Sequence, residues 1–275
     1  MRFGRVGLCV ILAGVYIALI LAITMAKGTF SPLPAAILSA ASIGVLMLVQ
    51  LAFVVSIAGL RLRPQSSALL MLPGAVGAAA MILLEMKLAT QTPVAMLVTV
   101  SVFRDLCLMV FGGSFGCLFS FIIREPNVLL PAAVFAGFVD YWNVSWGPLS
   151  WVIERKPDVV AMVSVHMPAP VPGMHGSTVG IGDFVFLALF FAVLYRFGLN
   201  VRGAFWLGYG LLTACMLLVL KFETPVPALV PMAVAVVGAN IRSFRLRREE
   251  LLATLYVGVL LLMLILASVL FLFKR

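Results

Sequence analysis

Between His175 and Phe191 the chain reads HGSTVGIGDFVFLALFF. One carboxylate, Asp183, stands at the mouth of an apolar run, directly behind Gly180 and Gly182. The run is apolar enough to be buried in lipid. An ionised Asp at the centre of a membrane helix costs roughly 2.5–3.5 kcal/mol on insertion scales. A charge in that position demands a reason, and the search for one organises the rest of the sequence.

The surroundings of this stretch set the fold class. Of 275 residues, 64% are hydrophobic and only 11% are charged, against roughly 25% charged in a soluble domain. Apolar stretches of a length that crosses a bilayer as helix recur from end to end. The expected fold is an all-α polytopic membrane bundle of about nine spans, at 6–26, 34–60, 67–85, 93–123, 127–145, 180–197, 203–220, 225–241 and 251–272. Three regions follow: scaffold helices over 1–126, a central region over 127–241, and a basic connector with one further helix over 242–275. The N-terminal segment has a basic start and an apolar core longer than that of a signal peptide, so it is read as an uncleaved first span.

The net charge of +9 reflects Arg and Lys in short connectors, where they set topology. No basic, aromatic-rich surface segment is present, which excludes nucleic acid as a partner. Cys9, Cys107, Cys117 and Cys215 are scattered without a CxxC pair, so they suggest neither disulfide framework nor zinc site. Segment 93–123 carries Arg104 and Asp105 near its middle and reads as one long span or as two. With one span, eleven basic residues fall on the cytoplasmic side and seven on the other; splitting it nearly removes the bias that orients membrane proteins. One span is therefore favoured, which puts the long connector 146–179 on the non-cytoplasmic face. Adjacent Arg104 and Asp105 would neutralise one another.

A second intramembrane carboxylate, Asp140, lies in AAVFAGFVDYWNVSW, residues 132–146. Both aspartates stand near predicted span ends, so simple solvation at the interface is one reading. Two features oppose it. Gly180 and Gly182 permit unusual backbone angles or close approach of another chain. Downstream, Pro225, Pro227 and Pro231 crowd the start of a span around Ala228 and Leu229, which keeps part of it from being ordinary helix. Irregular backbone inside a membrane occurs where it lines a cavity or is covered by protein. Two carboxyl groups placed together share a proton, because both cannot readily ionise. The ionised member can activate water and the neutral one can donate to a developing oxyanion. That is the chemistry of aspartic proteolysis, and it needs neither metal nor cofactor.

At these residues the sequence resembles the presenilin and signal peptide peptidase family of intramembrane aspartyl proteases. Asp140 corresponds to the family's first aspartate, GIGDF at 180–184 to its GxGD motif, and Pro227-Ala228-Leu229 to its PAL motif. GPLSWVIE at 147–154 is similar to the segment following the first aspartate. Val139 stands where the family has Tyr, with Tyr141 following, and the N-terminal half shows no match. The resemblance implies a presenilin-like ring of helices around Asp140 and Asp183 as catalytic dyad. It also implies transmembrane proteins or peptides as substrates, bound beside Gly180, Gly182, Pro227, Ala228 and Leu229, partly by strand addition. The bilayer is the other partner, and the inner membrane the expected site in a prokaryote.

An ion- or proton-coupled transporter is the alternative, since it too uses intramembrane carboxylates and broken helices. It would want more polar groups along a path, and Glu85, Lys87, Arg104 and Asp105 read as peripheral. A prepilin-peptidase-like enzyme and an inactive scaffold are further alternatives. His166 and His175 read as solvated loop residues rather than metal ligands. NVS at 143–145 fits a glycosylation sequon near the membrane. Gly112 and Gly116 form a GxxxG pair, used for close helix packing or, alternatively, for self-association into a homo-oligomer.

Overall fold

The computed structural model describes residues 2–25, 32–88, 94–145, 152, 155–168, 177–222 and 227–244, with isolated positions between 248 and 263. The predicted span at 251–272 lies almost wholly outside them. Four long helices open the chain: α1 (Arg2–Met25), α2 (Pro32–Gly59), α3 (Pro64–Leu88) and α4 (Val94–Phe119). After two short 3-10 turns come α5 (Leu129–Ser145) and a short α6 (Pro157–Met162). Strands β1 (Ser164–Met167) and β2 (Ser177–Gly180) form an antiparallel pair. Then follow α7 (Ile181–Phe197), α8 (Val201–Phe222) and α9 (Leu229–Asn240).

Among the described residues five helical segments are long and apolar enough to cross a membrane: Gly4–Met25, Ile37–Gly59, Pro64–Leu88, Met96–Ile122 and Val201–Val219. The protein is a multi-pass membrane helix bundle. Segment 93–123 contains a single unbroken helix, α4, despite Arg104 and Asp105. The large apolar side chains of α1 and α3 point outward, as with Val10, Ile11, Leu69 and Val76. Such surfaces suit lipid, since the interior of a bilayer imposes no cost on exposed hydrocarbon.

Helix α7 is the centre. Phe184, Leu187, Ala188, Leu189, Phe190, Phe191, Val193 and Leu194 are all buried, as expected of a helix apolar on every side. It packs on α4 and α2. A Cβ at Gly112 would stand 3.2 Å from Phe184 Cβ, and one at Gly116 would stand 2.8 Å from Ala188 Cβ and 2.9 Å from the Leu189 amide nitrogen. The small-residue pair therefore serves α4–α7 contact within the chain rather than a face for a second copy. Gly198, at φ +67°, ends α7. Its N–H and that of Leu199 both bond to Leu194 O, the left-handed stop that satisfies orphan carbonyls.

Side chains tie the helix ends together. Arg5 donates to Gly59 O and lies over the Tyr195 ring. Arg196 donates to Ser120 O at 2.7 Å and also to Ile123 O. The ends carrying Arg5, Arg61, Arg124 and Arg196 thus share one side of the bundle. Asn200 Oδ1 accepts from the Gly203 N–H at 2.9 Å, capping α8. Buried Asn240 Oδ1 accepts from the Asn200 N–H at 2.7 Å, which brings the C-terminus of α9 to the same side. Asn240→Ala should lower stability by about 1–3 kcal/mol, by leaving that N–H without its partner; a thermal melt in detergent checks it.

The connector 146–179 is long and rich in proline and glycine. The structure puts α6 and a two-stranded sheet into its described part. The reason is legible in Val163, Val165 and Met167, which alternate with polar Ser164 and His166, the period of a strand. Val165, Met167 and Val179 are buried beneath it. GPLSWVIE and His175 lie, in the main, outside the described residues.

Candidate functional site

Three segments read as full spans emerge as short helices. Both α5 and α7 have 17 residues and α9 has 12. At 1.5 Å per residue these reach roughly 25 and 18 Å, short of the ~30 Å hydrocarbon core. Each of α7 and α9 ends on the Arg-rich side, so its N-terminus lies within the membrane's depth. Non-helical backbone completes the crossing: β2 runs into α7 without an intervening residue, and Pro227 and Ala228 precede α9.

A helix N-terminus buried in this way leaves backbone N–H groups without intrahelical partners. Both candidate aspartates answer that need. Gly180 is the N-cap of α7, with φ −66° and ψ 147°. Asp183, three residues on, stands at the position of the acid in a capping box, its Oδ2 3.6 Å from where a Gly180 Cβ would lie. Asp140, on α5, accepts from the Leu229 N–H at 2.9 Å through Oδ2. Leu229 is the first residue of α9, and its N-cap Ala228 offers no side-chain cap. Two helix N-termini, each favourable to negative charge, therefore converge on two carboxylates. Helix α5 touches both α7 and α9, and the two carboxylates lie near one another.

Depths agree. Asp140 lies eleven residues from the start of α5, Asp183 fourteen from the end of α7, and Leu229 eleven from the end of α9. Along a helix these are roughly 17, 21 and 17 Å from the Arg-rich side. Gly137, one turn before Asp140, admits the backbone of α9: its Cβ would stand 3.4 Å from Val230 Cα.

Of the two uses expected for Gly180 and Gly182, unusual backbone angles are not found. Neither occupies a conformation reserved for glycine, since Gly180 is extended and Gly182 helical. Gly182 is exposed, and a Cβ there would meet nothing within 4 Å. It leaves open space one residue before Asp183. Ala228 and Leu229 are buried and Pro227 is half-buried.

Of the residues read as peripheral, Arg104 and Asp105 are buried, Glu85 is half-buried and Lys87 is exposed. Arg104 and Asp105 are 5% and 2% exposed. Arg104 Nη1 lies 2.5 Å from Glu85 Oε2 and Nη2 lies 2.9 Å from Asp105 Oδ1. Tyr16 donates to Asp105 Oδ2 at 3.3 Å. His166 is no loop residue: it sits in β1, its N–H donating to Asp105 Oδ2 at 3.1 Å and its Nδ1 lying 2.6 Å from Arg104 Nη2. Neutralisation between Arg104 and Asp105 was readable from their adjacency; the recruitment of Glu85, Tyr16 and His166 from three other elements was not. Among the described residues no group of three His, Cys, Asp or Glu could hold a metal ion. No family model, no curated protein and no solved structure matches the chain.

Proposed function

We propose that the chain is an intramembrane aspartyl protease, with Asp140 and Asp183 as its catalytic pair and membrane-spanning polypeptides as substrates. One observation carries the reading: two carboxylates from separate, touching helices, one bonded to the first N–H of α9 and the other in the first turn of α7, lie near one another. In this reading the pair holds one proton. The ionised member removes a proton from water, which attacks the scissile carbonyl, while the neutral member donates to the forming oxyanion. Collapse of the tetrahedral species returns a proton to the leaving amine and regenerates the shared proton.

A helical substrate shields its own peptide bonds and must unwind to be cut. Strand β2 leads straight to Asp183, so an unwound segment added along it would run its backbone past the carboxylate pair. The open space at Gly182 lies on that route. Gly182→Leu should leave the melting temperature of the full chain within a few degrees of wild type. The same variant should raise KM or lower turnover at least about tenfold, because a new side chain would fill the approach. Kinetics on a fluorescent single-span peptide in liposomes, beside a thermal melt, check both halves.

A transport reading gains from the buried Glu85–Arg104–Asp105 cluster, since intramembrane charges often mark an ion path. One preparation separates the two. Purified protein in liposomes is given a single-span substrate, and products are read by mass spectrometry. Cuts within the span support the protease. Proton flux without any cut, lost in Asp140→Ala and Asp183→Ala, supports transport.

A further inference from the structure

The charge cluster on α4 does not touch the carboxylate pair, yet it grips the strand pair that leads to it. We propose that Asp105, Arg104 and His166 form a positioning clamp that holds Asp183 in register through β1 and β2; this rests on the protease reading.

The chain of contacts is short. Asp105 Oδ2 takes the main-chain N–H of His166 and Arg104 Nη2 meets its ring at Nδ1. Arginine carries only donors, so Nδ1 is the acceptor in that contact. Strand β1 is thus held by backbone and side chain together. His166 pairs with Thr178 in β2, and Ser164 pairs with Gly180. Gly180 is the N-cap of α7, three residues before Asp183 and beside its carboxylate. A strand that slips by one residue turns every side chain to the opposite face, which here would carry Gly180 and Asp183 out of place.

Helix α4 is the common frame. Its residues 104 and 105 hold β1, and Gly112 and Gly116, about two and three turns on, hold α7. Strand pair and catalytic helix are thereby referred to a single rigid element. Apolar packing could stabilise this place as well as an ion cluster does. Burial of Val165, Met167 and Val179 already opposes a one-residue slip, and hydrogen bonds to a chosen N–H and a chosen ring nitrogen add a fixed position against α4. Arg104 is in turn aimed by Glu85 from α3, and Asp105 by Tyr16 from α1.

The test uses full-length protein in detergent and in liposomes, as wild type, His166→Ala, His166→Asn and Asp105→Asn. Two readouts are taken: amide hydrogen exchange of residues 164–167 and 177–180 without substrate, and kcat and KM on a single-span peptide. His166→Ala leaves the Glu85–Arg104–Asp105 ions paired, so it keeps the test usable if Asp105→Asn does not fold. The expected result is strand exchange at least about tenfold faster and kcat about ten- to a hundredfold lower, with KM and melting temperature nearly unchanged. His166→Asn, which returns an acceptor near Nδ1, should recover most of the loss. Unchanged strand exchange in His166→Ala, or a fall in kcat that tracks melting temperature and is not rescued by Asn, overturns the clamp. Faster strand exchange in a protein whose wild type cuts nothing supports the clamp on the strands and overturns the protease reading alone.

Discussion

Replacing Asp140 or Asp183 by Asn is expected to abolish cleavage while leaving the fold intact. Each carboxylate has an ordinary structural setting, since Asp140 accepts from the Leu229 N–H and Asp183 stands in the first turn of α7. An Asn side chain keeps an acceptor oxygen at either position. If capping were the whole purpose, Asn would be tolerated at both positions. A catalytic pair tolerates neither, because Asn can neither ionise nor pass on a proton. The expected loss is about 10⁴-fold or more in kcat for each single variant, and the double variant should be no worse, since residues that act as a unit are not additive. Wild-type activity should fall at both ends of the pH range, as the pair becomes doubly protonated or doubly ionised. Near-wild-type cleavage by either Asn variant, measured in liposomes by mass spectrometry, would leave the aspartates as caps and end the protease reading.

Gly116→Leu is expected to prevent the native bundle from forming. A Cβ at Gly116 would press into the backbone of α7, at Val185 O and at the Leu189 amide nitrogen, as well as into Ala188 Cβ. Backbone inside a buried helix cannot move aside as a flexible side chain can. Overpacking in a core ordinarily costs about 1–3 kcal/mol, and a clash with main chain belongs at or above the top of that range. Helix α7 has nowhere to go, since its other faces are buried as well. The loss should appear as an aggregated rather than monodisperse peak on size exclusion, with no activity. Even Gly116→Ala should lower the melting temperature measurably. The contrast with Gly182→Leu is the informative one: two glycines of the same bundle, one filled by a neighbouring helix and the other facing open space.

Much of this was legible in the residues alone. Apolar runs of bilayer length in a chain with 11% charged residues leave few alternatives to a membrane helix bundle. The positions of five long helices follow from that pattern, and so does the oddity of Asp140 and Asp183, since a lone charge in an apolar run is visible by inspection. Where sequence reading failed, it failed on distance. His166 and Arg104 are 62 residues apart, and Asp105 and Tyr16 are 89 apart. No periodicity links them, so Arg104 and Asp105 read as peripheral although they are buried. Gly180 and Gly182 invited an argument about backbone angles, but the angles are ordinary and the space around Gly182 is what distinguishes it.

Hydropathy is a local property and survives reading one residue at a time; it determined that the chain crosses a bilayer repeatedly and which two carboxylates stand out. The helix ends are decided elsewhere. That α7 and α9 stop short of the membrane's thickness, and that the N-terminus of α9 meets the carboxylate of Asp140, depends on how β2, Pro227 and Ala228 complete each crossing. The same holds for the grip of α4 on β1 and α7. These are relations between segments far apart along the chain, set by the need to satisfy buried polar groups in three dimensions, and only the packed structure supplies their partners.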